Sequence, residues 1–175
     1  MDKFVIKDNK LVSFNDSQIS PEKTVIVPTG VEEICAQAFS ESKVEEVILP
    51  STVKTIGREA FANSTIKKIT IPDTVTTFDK DIFFRCHELK NLVLPDTMKE
   101  IPDGFCYHCT GLQDVNMPSN LERIGRSAFY NTSLSDMSFS TIPDTVKIID
   151  ANAFQMCKLE KIKLPKEVEN QKVLK

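Results

Sequence analysis

The chain has 175 residues, of which 41% are hydrophobic and 27% are charged, and its formal net charge is −3. This length suits a single domain that buries a real core, and the composition is ordinary for a soluble globular protein. Both signs of charge are spread along the sequence without a basic block, so nucleic acid is not expected as a partner. No run approaches the roughly 18 apolar residues of a membrane helix, so membrane insertion is not expected.

The N-terminal segment MDKFVIKDNKLVSFND bears on where the protein resides. It has no apolar run preceded by a positive region, so it does not fit a signal peptide. We therefore expect a cytoplasmic protein if the chain is complete, and a cell-surface or secreted protein if it is a fragment of a longer precursor. Five cysteines are an odd number, which favours reduced, buried thiols over a secreted disulfide framework.

Apolar columns repeat along the sequence. The prolines that mark the period are separated by 22, 22, 23, 23, 25 and 22 residues and are Pro28, Pro50, Pro72, Pro95, Pro118, Pro143 and Pro165. The phenylalanines that follow them are Phe39, Phe61, Phe83, Phe105, Phe129 and Phe154, each 11 residues after its proline except Phe105, which is 10 after. The column six residues after the prolines is Ile34, Ile56, Phe78, Ile101, Ile124 and Ile149. Such a period indicates a repeat protein.

Each repeat predicts the same local structure. Alternating apolar residues before the proline, such as Val47 and Leu49, predict a short strand with one buried face, which the proline ends. A turn follows, then a second short strand or turn, and then a brief helical turn that carries the Ala-Phe pair. One unit cannot bury these side chains alone, so stacked units are expected to share one core with a phenylalanine column inside it.

The units, such as IGREAF at Ile56–Phe61 and IGRSAF at Ile124–Phe129, resemble the BspA-like leucine-rich repeats. The resemblance covers Val25 to about Pro165. It implies an α/β-type leucine-rich repeat solenoid: a right-handed, β-rich coil of parallel short strands with brief helical or 3-10 turns and an N-terminal β-hairpin cap. Relatives serve as adhesins, surface proteins and binding modules, and the family provides no catalytic residues or cofactors to transfer.

The two ends are expected to close the solenoid. The opening FVIKDNKLVSF looks like the hairpin that precedes the first repeat in many relatives, with Asp8-Asn9 as its turn, so residues 1–20 are assigned to an N-terminal capping hairpin. About six repeats of 22–25 residues fill residues 21–165. Residues 166–175 are assigned to a C-terminal tail or cap.

Two places depart from the regular pattern. Repeats three and four have one extra residue after the phenylalanine, and repeat four has lost one before it. Three residues are inserted between Met137 and Pro143. This insertion is either a tolerated surface loop or a contact loop that presents Phe139 and Ile142.

One cluster of cysteines and histidines has possible metal ligands. Cys86-His87 and Cys106-Tyr107-His108-Cys109 lie in neighbouring repeats, and stacking would bring Cys86 and Cys109 about 4.8 Å apart. Zinc bound by Cys86, Cys106, His108 and Cys109 is one interpretation. Buried structural thiols are the favoured interpretation, because Cys157 has the same place after its phenylalanine, and a disulfide is the third.

Nothing in the sequence indicates an enzyme or a cofactor site. Neither histidine lies in a nucleophile elbow or an H-E-x-x-H motif, and the five glycines are isolated rather than gathered in a phosphate-binding loop. The function is therefore expected to be binding.

The exposed face of the first strands is the predicted binding surface. Because side chains alternate across a strand, the residue between the two buried positions points outward in every repeat. These residues are Ile26, Ile48, Thr70, Val93, Asn116 and Ser138, and the flanking column includes Glu46 and Lys68. Their β-branched character also suits strands anywhere, so strand propensity alone is the competing explanation. The outer rim of the phenylalanine-bearing segments is the next candidate.

Two functions remain open. The first is a non-catalytic protein-binding module, a rigid scaffold that presents its sheet face to a protein partner as a cytoplasmic regulator or inhibitor, with a monomer favoured. The second is a cell-surface or secreted adhesion module cut from a longer chain, which binds a host protein or a glycan.

Overall fold

The protein is a solenoid of short strands, described by a computed structural model for residues 3–18, 21, 23–136, 141–160 and 163–168. We call its turns coils 1 to 6, which comprise residues 23–44, 45–66, 67–89, 90–112, 113–134 and 135–159. The strands of the described residues are β1 Phe4–Lys7, β2 Lys10–Phe14, β3 Thr24–Ile26, β4 Glu33–Ile34, β5 Glu46–Ile48, β6 Thr55–Ile56, β7 Lys68–Thr70, β8 Thr77–Phe78, β9 Asn91–Val93, β10 Glu100–Ile101, β11 Asp114–Val115, β12 Arg123–Ile124 and β13 Ile148–Ile149. A 3-10 helix, Asp16–Gln18, follows the N-terminal strands.

The first side of the solenoid is a parallel sheet in the order β11-β9-β7-β5-β3. Its register aligns equivalent residues of successive repeats, so that Val25 pairs with Val47 and Val47 with Ile69. These central residues are buried and their neighbours in each strand face outward, as strand alternation requires. The predicted parallel strands of the repeat are therefore confirmed.

The second side is built from the two-residue strands and the N-terminal hairpin. Its order is β1-β2-β4-β6-β8, and a separate group β10-β12-β13 continues it in the later coils. β1 and β2 are antiparallel, and Asp8 (φ 49°) and Asn9 (φ 60°) form their turn in the left-handed region. That geometry is typical of two-residue hairpin turns. The hairpin cap is confirmed, and β2 joins it to the solenoid by pairing with β4.

The third side consists of the phenylalanine-bearing segments, which form tight turns. In coil 1, Gln37 and Glu41 have positive φ values of 58° and 60° on either side of Phe39. In this segment Phe39 N donates to Ala60 O at 2.7 Å and Glu41 N donates to Ala62 O at 2.8 Å. The turn residues with positive φ in coils 2 to 6 are Glu59, Asn63, Asp81, Arg85, Gly104, His108, Ser127, Asn131, Asn152 and Met156. The brief turns expected here thus form a third inter-coil hydrogen-bond ladder.

The core is a column of phenylalanine rings between the three sides. Phe39, Phe61 and Phe83 are buried and stack with centroid distances of 5.2 and 5.3 Å and interplanar angles of 9° and 13°. Phe129 and Phe154 stack in the same way at 5.5 Å. Parallel stacking follows from the equal register of the coils, and such large buried rings dominate the stability of a core.

Coil 4 corrects two expectations from the sequence. Cys106 N donates to Ala128 O at 2.7 Å, as Phe39 N donates to Ala60 O in coil 1, so Cys106 occupies the phenylalanine position. Phe105 occupies the preceding alanine position, and its ring meets Phe83 edge-on at 82°. Repeat four has therefore not lost a residue before its phenylalanine, and the phenylalanine column is interrupted in this coil.

Gly57 lies where two coils approach each other closely. A Cβ atom there would lie 2.7 Å from the backbone N of Ala36 in the coil below. Real Cβ atoms do not approach backbone that closely, so the glycine has a packing role. The IGREAF segment is thus a structural part of the repeat.

Candidate interaction surfaces

The outward residues of the first sheet form an apolar ladder. Ile26 pairs with Ile48, Ile48 with Thr70, and Thr70 with Val93, which places the four side chains on one face. Ile26 is 66% exposed, and Ile48 and Val93 are each 45% exposed. A groove of about 580 Å³ lies over Ile48, Thr70 and Val93. Three large apolar side chains aligned in water are more than isolated surface residues, and such patches mark interaction sites.

Charged residues flank this ladder at the start of the strands. Lys68 Nζ lies 2.9 Å from Glu46 Oε1, so the two predicted flanking residues form an ion pair. Glu45, one residue earlier, accepts from Lys67 Nζ at 2.7 Å and from Lys23 Nζ at 2.9 Å. These hydrogen bonds, that from Lys67 first, hold the pKa of the Glu45 carboxyl below its ordinary value. The flank is thus a row of paired charges beside an apolar strip.

The predicted binding residues of the later repeats are placed differently. Asn116 is exposed, but its amide Oδ1 accepts from Leu94 N at 2.7 Å and its Nδ2 donates to Leu94 O at 2.9 Å. The side chain thereby extends the sheet beyond Val115, where β11 ends, and its amide is already engaged. Ser138 lies outside the described residues, so the ladder is established for coils 1 to 4 and ends in a polar residue at coil 5.

The predicted contact loop has one described member, and its prediction was wrong. Ile142 is fully buried. It directly precedes Pro143, the place that Leu49 and Ile71 occupy before their prolines in the core. Ile142 therefore occupies a regular core position of the repeat and is not part of the insertion. Phe139 lies outside the described residues.

The cysteine cluster consists of buried thiols that bond to backbone. Cys86 Sγ donates to Phe61 O and Cys109 Sγ to Phe83 O, both at 3.0 Å. Burial raises the pKa of both thiols well above the ordinary range. Both occupy the column that holds Ser64 and Thr132 in neighbouring coils, and the hydroxyl of Ser64 lies 3.6 Å from Cys86 Sγ.

The four residues of the zinc hypothesis are not brought together. Cys106 lies in the core at a phenylalanine position, whereas His108 lies on the outer rim and its Nδ1 is 3.0 Å from Asn131 Nδ2. His87, also considered, places its Nδ1 3.3 Å from Thr110 Oγ1. Within the described part of the chain, no group of three or more Cys, His, Asp or Glu side chains is arranged to hold a metal ion.

An aromatic row on the outer rim was missed by the sequence reasoning. Phe84, Tyr107 and Tyr130 stack at 5.2 and 5.0 Å with interplanar angles of 4° and 13°. Arg85 covers the Phe84 ring at 5.2 Å. An aromatic residue one position after the phenylalanine column in three successive repeats was the available signal, but it was hidden because Phe105 was assigned to that column in place of Cys106. Because each ring stacks on the face of its neighbour, we assign the row a role in packing between coils.

The family model for the BspA type leucine rich repeat region matches residues 13–135 and 134–172 in six copies. A search of curated proteins gave no match. Among the described residues, no helix has both the length and the apolar character needed to cross a membrane.

Several solved structures share the fold. A leucine rich cell surface protein from Faecalibacterium prausnitzii A2-165 matches at 21% identity with a TM-score of 0.64, over 92% of this chain and 52% of its own. A leucine-rich repeat protein from Eubacterium ventriosum matches at 23% identity with a TM-score of 0.70, over 91% and 51%. One from Bacteroides ovatus matches at 20% identity with a TM-score of 0.60, over 94% and 58%. The chain thus spans about half the length of these structures.

Proposed function

Because the chain belongs to the BspA type leucine-rich repeat family, we propose that it is a non-catalytic protein-binding scaffold, a monomer that presents the exposed face of its first sheet to a protein partner. A solenoid offers an extended surface held rigidly by stacked repeats, and this surface is where such proteins engage partners. The first sheet, whose hydrogen bonds continue without a break from β3 to β11, gives that rigidity. Its function therefore lies in what it presents rather than in chemistry it performs.

The observation that supports this proposal is the exposed row of Ile26, Ile48 and Val93 on β3, β5 and β9 of the first sheet, in which β7 lies between β5 and β9. A partner that covers these side chains removes apolar surface from water, which contributes about 25 cal/mol for each Å² buried. Thr70 lies between Ile48 and Val93 and provides a hydroxyl within the strip. The groove over these residues gives the partner's side chains a place to enter.

The charges beside the strip indicate which charge a partner should carry next to its apolar side chains. Lys67, Lys68 and Lys90 line a smaller groove of about 230 Å³ at the start of the strands, together with Glu45 and Glu46. Lys90 makes no ion pair with any described residue. A partner with apolar side chains flanked by a carboxylate would complement this arrangement. Such rim charges act mainly on the association rate and on its salt dependence.

A second candidate is an adhesion module at the cell surface. It is favoured by the Faecalibacterium prausnitzii structure, which is of a cell surface protein, and by the coverage of only about half of that chain. In that case the same sheet face would bind a host protein or a glycan. Locating the protein by cell fractionation and antibody detection separates this candidate from a cytoplasmic regulator.

The test of the sheet face uses the matched pair Ile48→Asp and Val93→Asp. Each charge should abolish capture of the partner that the unmodified protein recovers from its source cells, while the circular dichroism spectrum stays unchanged. Ile148→Asp is the control, because Ile148 is also a strand residue, is 47% exposed and lies on the second side of the solenoid. Capture that survives both sheet-face substitutions would eliminate the proposal.

A further inference from the structure

The second side of the solenoid is open between coils 3 and 4. No Cα atom of β8 lies within 8 Å of a Cα atom of β10, although both strands are fully described. The same two coils are joined on the other two sides. On the first, Lys68 pairs with Asn91, and on the third, Phe83 N donates to Phe105 O at 2.9 Å. The separation is therefore confined to one side.

Pro102 accounts for the missing pairing. At its position in the other coils, a backbone N–H donates to the coil below: Gly57 N to Ile34 O at 2.8 Å, Asp79 N to Ile56 O at 3.0 Å, and Gly125 N to Ile101 O at 2.8 Å. Proline has no N–H, so this bond cannot form. Phe78 adds to the effect, because its ring replaces the smaller isoleucine of the other coils and meets the Phe105 ring edge-on at 6.5 Å.

The gap exposes backbone groups in a strand pattern. Between coils 2 and 3, Lys54 O accepts from Thr76 N at 3.0 Å and from Thr77 N at 3.1 Å. At the gap, the corresponding acceptors of coil 3 are Thr76 O and Phe78 O. The corresponding donors of coil 4 are Lys99 N and Glu100 N. None of these four groups has a backbone partner among the described residues. Two acceptors thus lie on the coil 3 side of the gap and two donors on the coil 4 side, and a strand inserted there can pair with all four.

The width of the gap suits one strand. Neighbouring strands lie about 4.8 Å apart, so one strand inserted between two others requires about 9.6 Å. The separation of more than 8 Å between β8 and β10 is compatible with this spacing. A groove of about 510 Å³ occupies the gap, with Val75 and Met98 buried at its floor and Phe78 half-buried in its wall.

We propose that this gap binds an extended segment of a partner protein as an additional strand between β8 and β10. In the parallel orientation, the segment donates N–H groups to Thr76 O and Phe78 O and accepts from Lys99 N and Glu100 N. Its apolar side chain enters the groove beside Phe78. Strand addition of this kind takes its affinity from main-chain hydrogen bonds and its selectivity from alternate side chains.

A peptide from the protein itself serves as the probe. Residues 53–59, VKTIGRE, have the required pattern, because in the intact chain Thr55 N and Gly57 N donate to the coil below while Lys54 O and Ile56 O accept from the coil above. The peptide is acetylated, amidated and fluorescently labelled. One derivative is N-methylated at Thr55 and Gly57, and the control derivative is N-methylated at Val53, whose amide bonds within its own turn to Pro50 O.

Fluorescence polarisation with the full chain decides the proposal. We expect saturable binding of VKTIGRE and of the Val53 derivative, binding at least tenfold weaker for the Thr55/Gly57 derivative, and at least tenfold slower amide exchange of Lys99 and Glu100 in the complex. The double variant Phe78→Ile/Pro102→Gly, which restores the residue types of neighbouring coils, should lose the peptide. Absence of saturable binding, or equal binding of the two methylated derivatives, overturns the proposal even if the double variant does not fold.

The result of the peptide test of the gap can be distinguished from the result of the partner-capture test of the sheet face. Ile48→Asp lies on the first side and should bind VKTIGRE as the unmodified protein does. Loss of peptide binding in Ile48→Asp would place the peptide on the first sheet and overturn the proposal for the gap.

Discussion

Coils 1 to 3 and the junction between coils 3 and 4 are built from the same repeat, yet they differ on one side. In coils 1 to 3 all three sides carry inter-coil hydrogen bonds, and the second side extends without interruption from β1 to β8. At the junction the first sheet and the turn ladder continue while the second side stops. One side can therefore be interrupted while the other two continue, and at this junction the interrupted side has a proline, which lacks an N–H, where the other coils donate.

The same contrast extends into the core. Phe39, Phe61 and Phe83 stack with nearly parallel planes, whereas Phe83 and Phe105 meet at 82°. Phe105 has moved to an alanine position and Cys106 takes its place in the column. The junction thus combines a missing donor, a displaced ring and a large residue at Phe78. Each of these changes is tolerated because the neighbouring sides keep the coils in register.

The largest expected effect comes from removing one phenylalanine ring from the regular coils and one from the junction. Phe61→Ala should lower the free energy of unfolding by about 3–5 kcal/mol, because the ring is fully buried between two stacked rings and leaves a cavity. Phe105→Ala should cost less than half of that, since its position holds alanine in coils 1, 2, 5 and 6 and its surroundings can collapse further. Urea unfolding monitored by circular dichroism measures both.

The two values are informative only together. A matched loss for Phe105→Ala would mean that coil 4 is packed as tightly as coil 2, and that the displaced ring is an equal part of the core. Thr70→Ala, which removes a small side chain from the exposed face of coil 3, is the control and should change stability little.

The regular half of this comparison was predictable from the sequence. The period of prolines, isoleucines and phenylalanines fixed the strands and the buried columns, because side chains that cannot be covered within one repeat must be covered by the next. The outward positions Ile26, Ile48 and Val93 followed from strand alternation alone. These predictions succeeded because they depend on spacing, which the repeat supplies many times.

The irregular half was not predictable in the same way. Phe105 was aligned by residue type, although its place is set by the left-handed Gly104 before it, and backbone conformation outranks side-chain similarity there. Ile142 was treated as part of an insertion although it stands at a core position before Pro143. The gap could be predicted only by knowing which backbone N–H of each repeat donates a hydrogen bond to the neighbouring coil. Pro102 was visible in the sequence, but the role of its position was not.

The next effect separates the two regions by hydrogen exchange. The amides of Lys99 and Glu100 should exchange at least tenfold faster than those of Glu122 and Arg123, which occupy the same places one coil later and donate to Lys99 O at 2.7 and 3.2 Å. The amide of Lys90, in the same coil as Lys99, donates to Lys67 O at 2.8 Å and should be protected. Exchange measured by NMR or mass spectrometry resolves these positions.

A single substitution tests whether Pro102 causes the difference. Pro102→Gly restores the N–H that neighbouring coils use, so Lys99 and Glu100 should become protected while Lys90 and Glu122 stay as they were. If the two amides are already slow in the unmodified protein, the coils are closed in solution and the contrast with coils 1 to 3 fails.

The smallest expected effect concerns the side of the junction that remains intact. Cys86 and Cys109 hold their protons because burial raises the pKa of both thiols, and each donates to a carbonyl of the coil below. In the unfolded chain a thiol ionises near its ordinary pKa of about 8.5. Above that pH the unfolded state has lost the proton that the folded state keeps, so stability falls as the pH rises.

We expect the two thiols together to contribute a loss of about 1 kcal/mol between pH 8 and 9, measured by urea unfolding. Cys86→Ser/Cys109→Ser should remove that contribution, because a hydroxyl keeps a donor for the same carbonyls but does not titrate in this range. An equal loss in the variant would show that these thiols ionise in the folded protein as they do in the unfolded chain. The carbonyls of Phe61 and Phe83 would then keep only their backbone donors, Ser64 N and Cys86 N, at high pH.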